Sequence, residues 1–175
     1  MSIDYRYTIK RKVDDKVIGS FYYNMIKNLG NVSCADFDLK LDPSDAYYDR
    51  VSIKYTVDDI SNDINALRKH IEVISIKMSE KKLLIAMAAN RDIKDELEND
   101  IFILESEIKD CEYAIEALAG LQAVVNVLVE DNVNIADDTK DKIAYIYNAK
   151  DLPKTKDGYD SHLFVSDVYL EVQKL

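Results

Sequence analysis

VDDISNDINALRKHIEVISIKMSEKKLLIAMAAN (57–90), followed by RDIKDELENDIFILESEIKDCEYAIEALAGLQAVVNVLVE (91–130), is the stretch that decides the fold. In its first half Val57, Ile60, Ile64, Leu67, Ile71, Ile74 and Met78 are separated by 3, 4, 3, 4, 3 and 4 residues, and the line runs on loosely through Ile85 and Ala88. A strand would send these side chains to alternating faces, whereas this spacing gathers them on one stripe of a helix. The second half carries another line: Leu97, Ile101, Leu104, Ile108, Cys111, Ile115, Leu118, Leu121, Val125 and Leu128. Beyond Gly120 its apolar face broadens with Val124, Val127 and Val129, as expected where a helix is covered on more than one side. Gly120 itself weakens helix propensity and marks either a close approach or a break.

Between the two lines, Ala89-Asn90-Arg91-Asp92 resets the apolar phase, and Asn90 or Asp92 is suited to cap a second helix. At the other end Asp58 or Asp59 supplies a first-turn carboxylate or cap. A turn near 89–92 gives two helices of about 33 and 38 residues, roughly 50 and 57 Å long, so their lengths match. An uninterrupted rod would reach roughly 110 Å and leave its stripe in water unless it dimerised. Charge favours the hairpin too. Residues 57–91 hold six basic and five acidic side chains (+1), and residues 92–130 hold two basic and eleven acidic (−9). The acidic helix repels a copy of itself, so the near-neutral first helix is its better mate.

The flanks change period. Ile3, Tyr5, Tyr7 and Ile9 alternate with polar residues as in a half-buried strand, and Val168, Leu170 and Val172 do so at the far end. Phe37, Leu39 and Leu41 alternate before the turn residues Asp42-Pro43-Ser44-Asp45, and Val51, Ile53 and Tyr55 make a further short strand. Over 15–29 we expect a helix, because Ile18, Tyr22, Met25 and Leu29 share a face ahead of Gly30, with a strand over Val17 to Tyr23 as the alternative. Residues 137–147 read as a short helix or a strand, and Pro153 and Asp157-Gly158 as a loop. The expected fold is therefore α+β. Residues 1–56 plus 131–175 form a head around a small, mostly antiparallel sheet, and a long antiparallel, coiled-coil-like hairpin, 57–130, is inserted between them. One candidate helix beside several strands is too few for a doubly wound nucleotide fold.

Composition limits the function. The 175 residues contain 33 acidic and 23 basic side chains, a net charge of −10, with only four glycines and two prolines. That balance repels a phosphate backbone, so direct non-specific nucleic-acid binding is not expected, and it can attract a partner with a basic surface. Leu83 to Ala89 is the longest apolar run, too short to span a bilayer, so no membrane association is expected and the reading is cytoplasmic. Cys34 and Cys111 are expected to be free thiols rather than a disulfide. Abundant Ile, Asp, Lys, Asn and Tyr, with scarce Gly and Pro, is the lean of AT-rich coding sequences, including many viral and phage genes, so a viral or phage accessory protein is one expectation.

Chemical motifs are sparse. His70 lies beside the Ile71 stripe and reads as a flanking helix residue. Ser161, His162 and Asp167 supply triad residue types without any indication of triad geometry. There is no Gly-rich phosphate loop and no CxxC pair, and Asp131-Asn132-Val133-Asn134 lacks the ligand spacing of a calcium loop. Paired acids such as Asp14-Asp15 and Asp137-Asp138 are explained by turns and caps. No catalytic, cofactor or metal residue is assigned.

Tyrosine is the informative excess: eleven of twelve lie outside the hairpin. They suit either a sheet core with hydroxyls at its rim or a partner surface. The sequence thus points to a non-catalytic interaction or assembly protein that binds a protein partner or self-associates. Its candidate contact residues are Tyr22, Tyr23, Tyr47 and Tyr48 in the head and Glu98, Glu105, Glu112 and Glu116 on the acidic helix. The alternatives are an acidic inhibitor or nucleic-acid mimic that fills a basic site on another protein, and a metal-assisted enzyme. Homo-oligomerisation is expected if the outer face of the hairpin, particularly Ile76, Leu83, Ile103 and Val124, stays apolar and exposed.

Overall fold

A computed structural model of the protein describes residues 5–23, 39–41, 52–130 and 164–174. Strand β1 (Tyr5–Arg11) is followed by β2 (Val17–Tyr23), β3 (Ile53–Tyr55), helix α1 (Val57–Met87), helix α2 (Arg91–Glu130), a single 3-10 turn (Val165–Asp167) and β4 (Val168–Lys174). The strands form one antiparallel sheet in the order β2-β1-β4-β3, so both chain ends meet in its centre. The fold is α+β with a helical hairpin.

Alternation along β1 sorts the sheet into two faces. Tyr5, Tyr7 and Ile9 are buried, and Arg6, Thr8 and Lys10 are half-buried on the other side. The register aligns Phe21, Tyr7, Val172 and Ile53 in one row across the four strands, and Gly19, Ile9, Leu170 and Tyr55 in the next. Aromatic rings dominate the inner face: Tyr7 stacks on Phe21 at 5.2 Å between centroids and meets Tyr23 edge-on at 6.3 Å. The sheet core thus takes up most of the described head tyrosines. On the outer face Lys10 pairs with Glu171, the Lys54 ammonium lies 4.3 Å above the Tyr169 ring, and the Tyr169 hydroxyl donates to Asp15 at 2.7 Å. Lys10 and Arg11, the latter bonded to Asp14 at 3.0 Å, are thus matched by acids within the fold.

The helices pack against each other as the two 3,4 lines predict. Ion pairs and hydrogen bonds join them at three levels: Gln122 to Ser61 at 2.9 Å, His70 to Glu107 at 2.7 Å, and Lys81 to Asp100 at 2.7 Å. Helix α1 opens on a capping box, in which the Thr56 hydroxyl accepts from Asp59 N and the Asp59 carboxylate accepts from Thr56 N. The turn falls at 88–90, and Asn90 caps α2 by accepting from Asp92 N at 2.9 Å. Helix α2 runs unbroken through Gly120.

The inner face of the sheet, the start of α1 (Ile60, Ile64, Leu67) and the end of α2 (Cys111 to Val129) share one core. The sheet therefore backs only the base of the hairpin. The helix expected over 15–29 is replaced in its first part by β2, a run of β-branched and aromatic residues that suits a pleated surface. Its tight connection to β1 turns through Asp15, at φ 56°. Met25 and Leu29, which carried the helical line, lie outside the described residues. Leu39 and Leu41 are buried, but residues 39–41 stand off the sheet. Their backbone is held by α1 instead. The expectations for 137–158 also lie outside the described residues. None of the described helices is long and apolar enough to cross a membrane.

Candidate functional site

Among the described residues, side chains able to do chemistry are mostly committed to holding the fold. Asp63, buried on α1, accepts from Lys40 N at 2.7 Å, Leu41 N at 3.1 Å and the Tyr55 hydroxyl at 2.7 Å. One carboxylate thereby fastens the 39–41 segment and β3 to the hairpin. Burial, with the Asp63 charge and hydrogen bond behind it, pushes the Tyr55 phenol far above its ordinary range, so it stays a donor. Cys111 is a free, buried thiol, pushed up to about 11 by burial and by the neighbouring Glu107, Asp110 and Glu112, which suits packing rather than nucleophilic chemistry. His70, 7% exposed, sits at the helix interface on Glu107. Asp167 accepts from Phe164 N at 3.0 Å and closes its own turn, while Ser161 and His162 lie outside the described residues. Among the described residues no group of three or more His, Cys, Asp or Glu side chains is placed to hold a metal ion.

The unusual surface is the distal half of the hairpin. Ile74 is the last buried residue of α1, Cys111 the first of α2, and no side chain from Ser75 to Asp110 is buried. The inner seam (Met78, Ile85, Leu97, Ile101, Leu104, Ile108) is only half-covered, because two helices side by side leave it open on both flanks. A second apolar line occupies the opposite side of α1. Val73, Ile76, Leu83 and Met87 follow the same 3,4 spacing with Glu80 in the middle position, and Leu84 lies beside them. All are exposed, Ile76 at 61%, Leu83 at 67% and Met87 at 81%. On α2 the exposed large residues are Ile93 near the turn and Phe102, Ile103 and Tyr113 further along, the last three interrupted by Ser106 and Lys109.

The sequence-derived candidates divide accordingly. Glu98, Glu105, Glu112 and Glu116 are all exposed, and the first three recur every seven residues along one flank of α2. Tyr22 is half-buried on the outer sheet face. Tyr23 is buried, with its hydroxyl 3.4 Å from the Ala117 carbonyl, so its ring belongs to the core. Tyr47 and Tyr48 lie outside the described residues. Of the four apolar positions expected on the outer face, Ile76, Leu83 and Ile103 are exposed. Val124 is not: at 4% exposure it is buried, because it lies in the part of α2 that shares the sheet core. Reading the inner stripe alone missed Val73, Leu84, Met87 and Phe102. The repeated 3,4 spacing of 73, 76, 80, 83 and 87 was the signal for the line on α1.

Comparison of the chain with protein-family models, curated proteins and solved structures finds no match.

Proposed function

We propose that this is a non-catalytic interaction or assembly protein in which the sheet fixes the base of a stiff hairpin and the distal hairpin is the docking arm. One observation supports the reading above others: Ile76, Leu83, Leu84, Met87, Phe102 and Ile103 are exposed within a segment, 75–110, that buries no side chain of its own. Large apolar side chains clustered in water mark a surface meant to be covered. Each contributes roughly 1.5–3 kcal/mol on going from exposed to fully buried, which the lone hairpin forgoes.

The acidic flank sets the sign of the preferred surroundings. Glu98, Glu105 and Glu112 favour basic groups at the rim of the contact. Their seven-residue repeat places successive carboxylates about 10.5 Å apart, against about 3.4 Å per phosphate along one DNA strand, so we favour docking over nucleic-acid mimicry.

Photocrosslinking in the source cell tests the reading. A photoreactive residue replacing Leu83 is expected to give a protein adduct, and one replacing the exposed Asn62 at the hairpin base is expected to give none. Absence of an adduct at position 83 rejects the docking arm. Adduct yield that is indifferent to salt removes the glutamates from the contact and leaves the apolar surface.

A further inference from the structure

We infer that the outer edge of α1 is the interface with a second copy of this chain, the two α1 helices lying antiparallel; the inference rests on the docking-arm reading and names its occupant. Four observations lead there. The longer exposed apolar line is on α1 (Val73, Ile76, Leu83, Met87, with Leu84 beside it), interrupted once by Glu80, whereas the corresponding face of α2 is broken by both Ser106 and Lys109. An interface built from the same patch on both copies closes as a twofold dimer, and α1 against α1 is such a patch.

Charge selects the same helix. The −9 of residues 92–130 makes α2 against α2 repulsive, while α1 against α1 leaves the acidic helices on the outside.

Charge also sets the direction. In a parallel pair, equivalent positions face each other, so Glu80 would meet Glu80 of the second copy inside the seam. In an antiparallel pair the two heptad positions alternate across the seam. Val73 then faces Leu83 of the second copy, and Glu80 lies beside its Ile76, within reach of the exposed Lys77 that follows.

Area is sufficient. Five exposed aliphatic side chains offer on the order of 100 Å² each. Counted on both copies they approach the ~1,000 Å² that a specific interface requires, before the stems of Lys69 and Lys77 are included.

The test is solution mass of the full chain by sedimentation across a concentration range, combined with disulfide trapping. Wild type is expected to reach twice the chain mass. Ile76→Glu with Leu83→Glu is expected to shift dissociation at least 100-fold toward monomer with an unchanged circular dichroism spectrum, since neither side chain is buried. Glu80→Leu, which removes the charge that interrupts the apolar line, is expected to tighten the dimer about tenfold. In a background carrying Cys34→Ser and Cys111→Ala, Val73→Cys together with Leu83→Cys is expected to crosslink two copies, and Val73→Cys alone is not. A monomer at every concentration overturns the second copy; a position-83 photocrosslink to a different protein would then still uphold the docking arm. A dimer indifferent to the two glutamate substitutions overturns the assigned surface, and crosslinking by Val73→Cys alone overturns the antiparallel direction.

Discussion

The two ends of the hairpin obey the same heptad rule and meet different fates. At the base, Leu67, Cys111, Leu118 and Leu121 are sealed beneath an aromatic sheet face. At the distal end, Met78, Ile85, Leu97 and Leu104 follow the same spacing and remain half in water. Spacing therefore determines which side chains point at each other, and the number of layers determines whether they are dry. One sheet is enough to dry one end. The other end, two helices wide, stays half in water, and that is the surface the proposed contact would cover.

Core truncation should separate the two ends most sharply. Leu118→Ala removes a fully buried side chain and is expected to cost about 2–5 kcal/mol in a denaturant titration. Leu83→Ala, the same chemical change at 67% exposure, is expected to stay within about 0.5 kcal/mol when measured on the monomer. Similar losses at both positions would mean that the distal end is already covered.

Asp63→Ala comes next. It leaves Lys40 N, Leu41 N and the Tyr55 hydroxyl without their acceptor, and is expected to cost about 2–3 kcal/mol. Asp63→Asn keeps one amide oxygen as acceptor and should recover part of that loss. Hydrogen exchange should show the opening confined to 39–41, β3 and the start of α1, with the distal helices unaffected.

How much of this was legible in the sequence follows from the range of the forces involved. The hairpin, its turn and the strand character of β4 were readable because spacing and capping act within a few residues. The central place of β4 in the sheet depends instead on pairing with β1 and β3, far away in the chain. Region 17–23 was ambiguous because Val17, Ile18, Phe21, Tyr22 and Tyr23 satisfy both a helical face and a pleated one; only pairing with β1 selects the strand. Asp63 carries no local sign of its task, since two of its donors lie more than twenty residues away in sequence. Val124 was misplaced for a similar reason: its exposure depends on where the sheet stops, which no helical window contains.

The caps offer a matched pair of smaller effects. Thr56→Ala and Asn90→Ala each delete an N-cap acceptor and should each cost helix stability of about 1 kcal/mol. Thr56 caps the end that joins the core, so its loss should lower the global unfolding midpoint. Asn90 caps the exposed turn, so its loss should appear as faster exchange around 88–95 with little change in that midpoint. If Asn90→Ala lowers the midpoint as much as Thr56→Ala, the two ends unfold as one unit.

The smallest expected effect separates the sheet's outer face from its core by pH. The hydrogen bond from Lys10 holds the Glu171 carboxyl below its ordinary range and raises the Lys10 ammonium above its own. A depressed carboxyl stabilises the fold above its unfolded pKa, about 4.3, and that contribution is lost as pH falls through the lower folded value. A raised ammonium stabilises below its unfolded pKa, about 10.4, and that contribution is lost as pH rises through the higher folded value. On the alkaline side the buried phenols of Tyr7 and Tyr55, both raised chiefly by burial, lose their contribution as well and mask the pair. The acid limb is therefore where the pair can be read. Glu171→Gln should lower the urea midpoint slightly near pH 7, and that difference should shrink toward about pH 3 and in molar salt, because the pair is partly exposed. A difference that persists in salt and acid would show that Glu171 acts through packing on the sheet rather than through its charge.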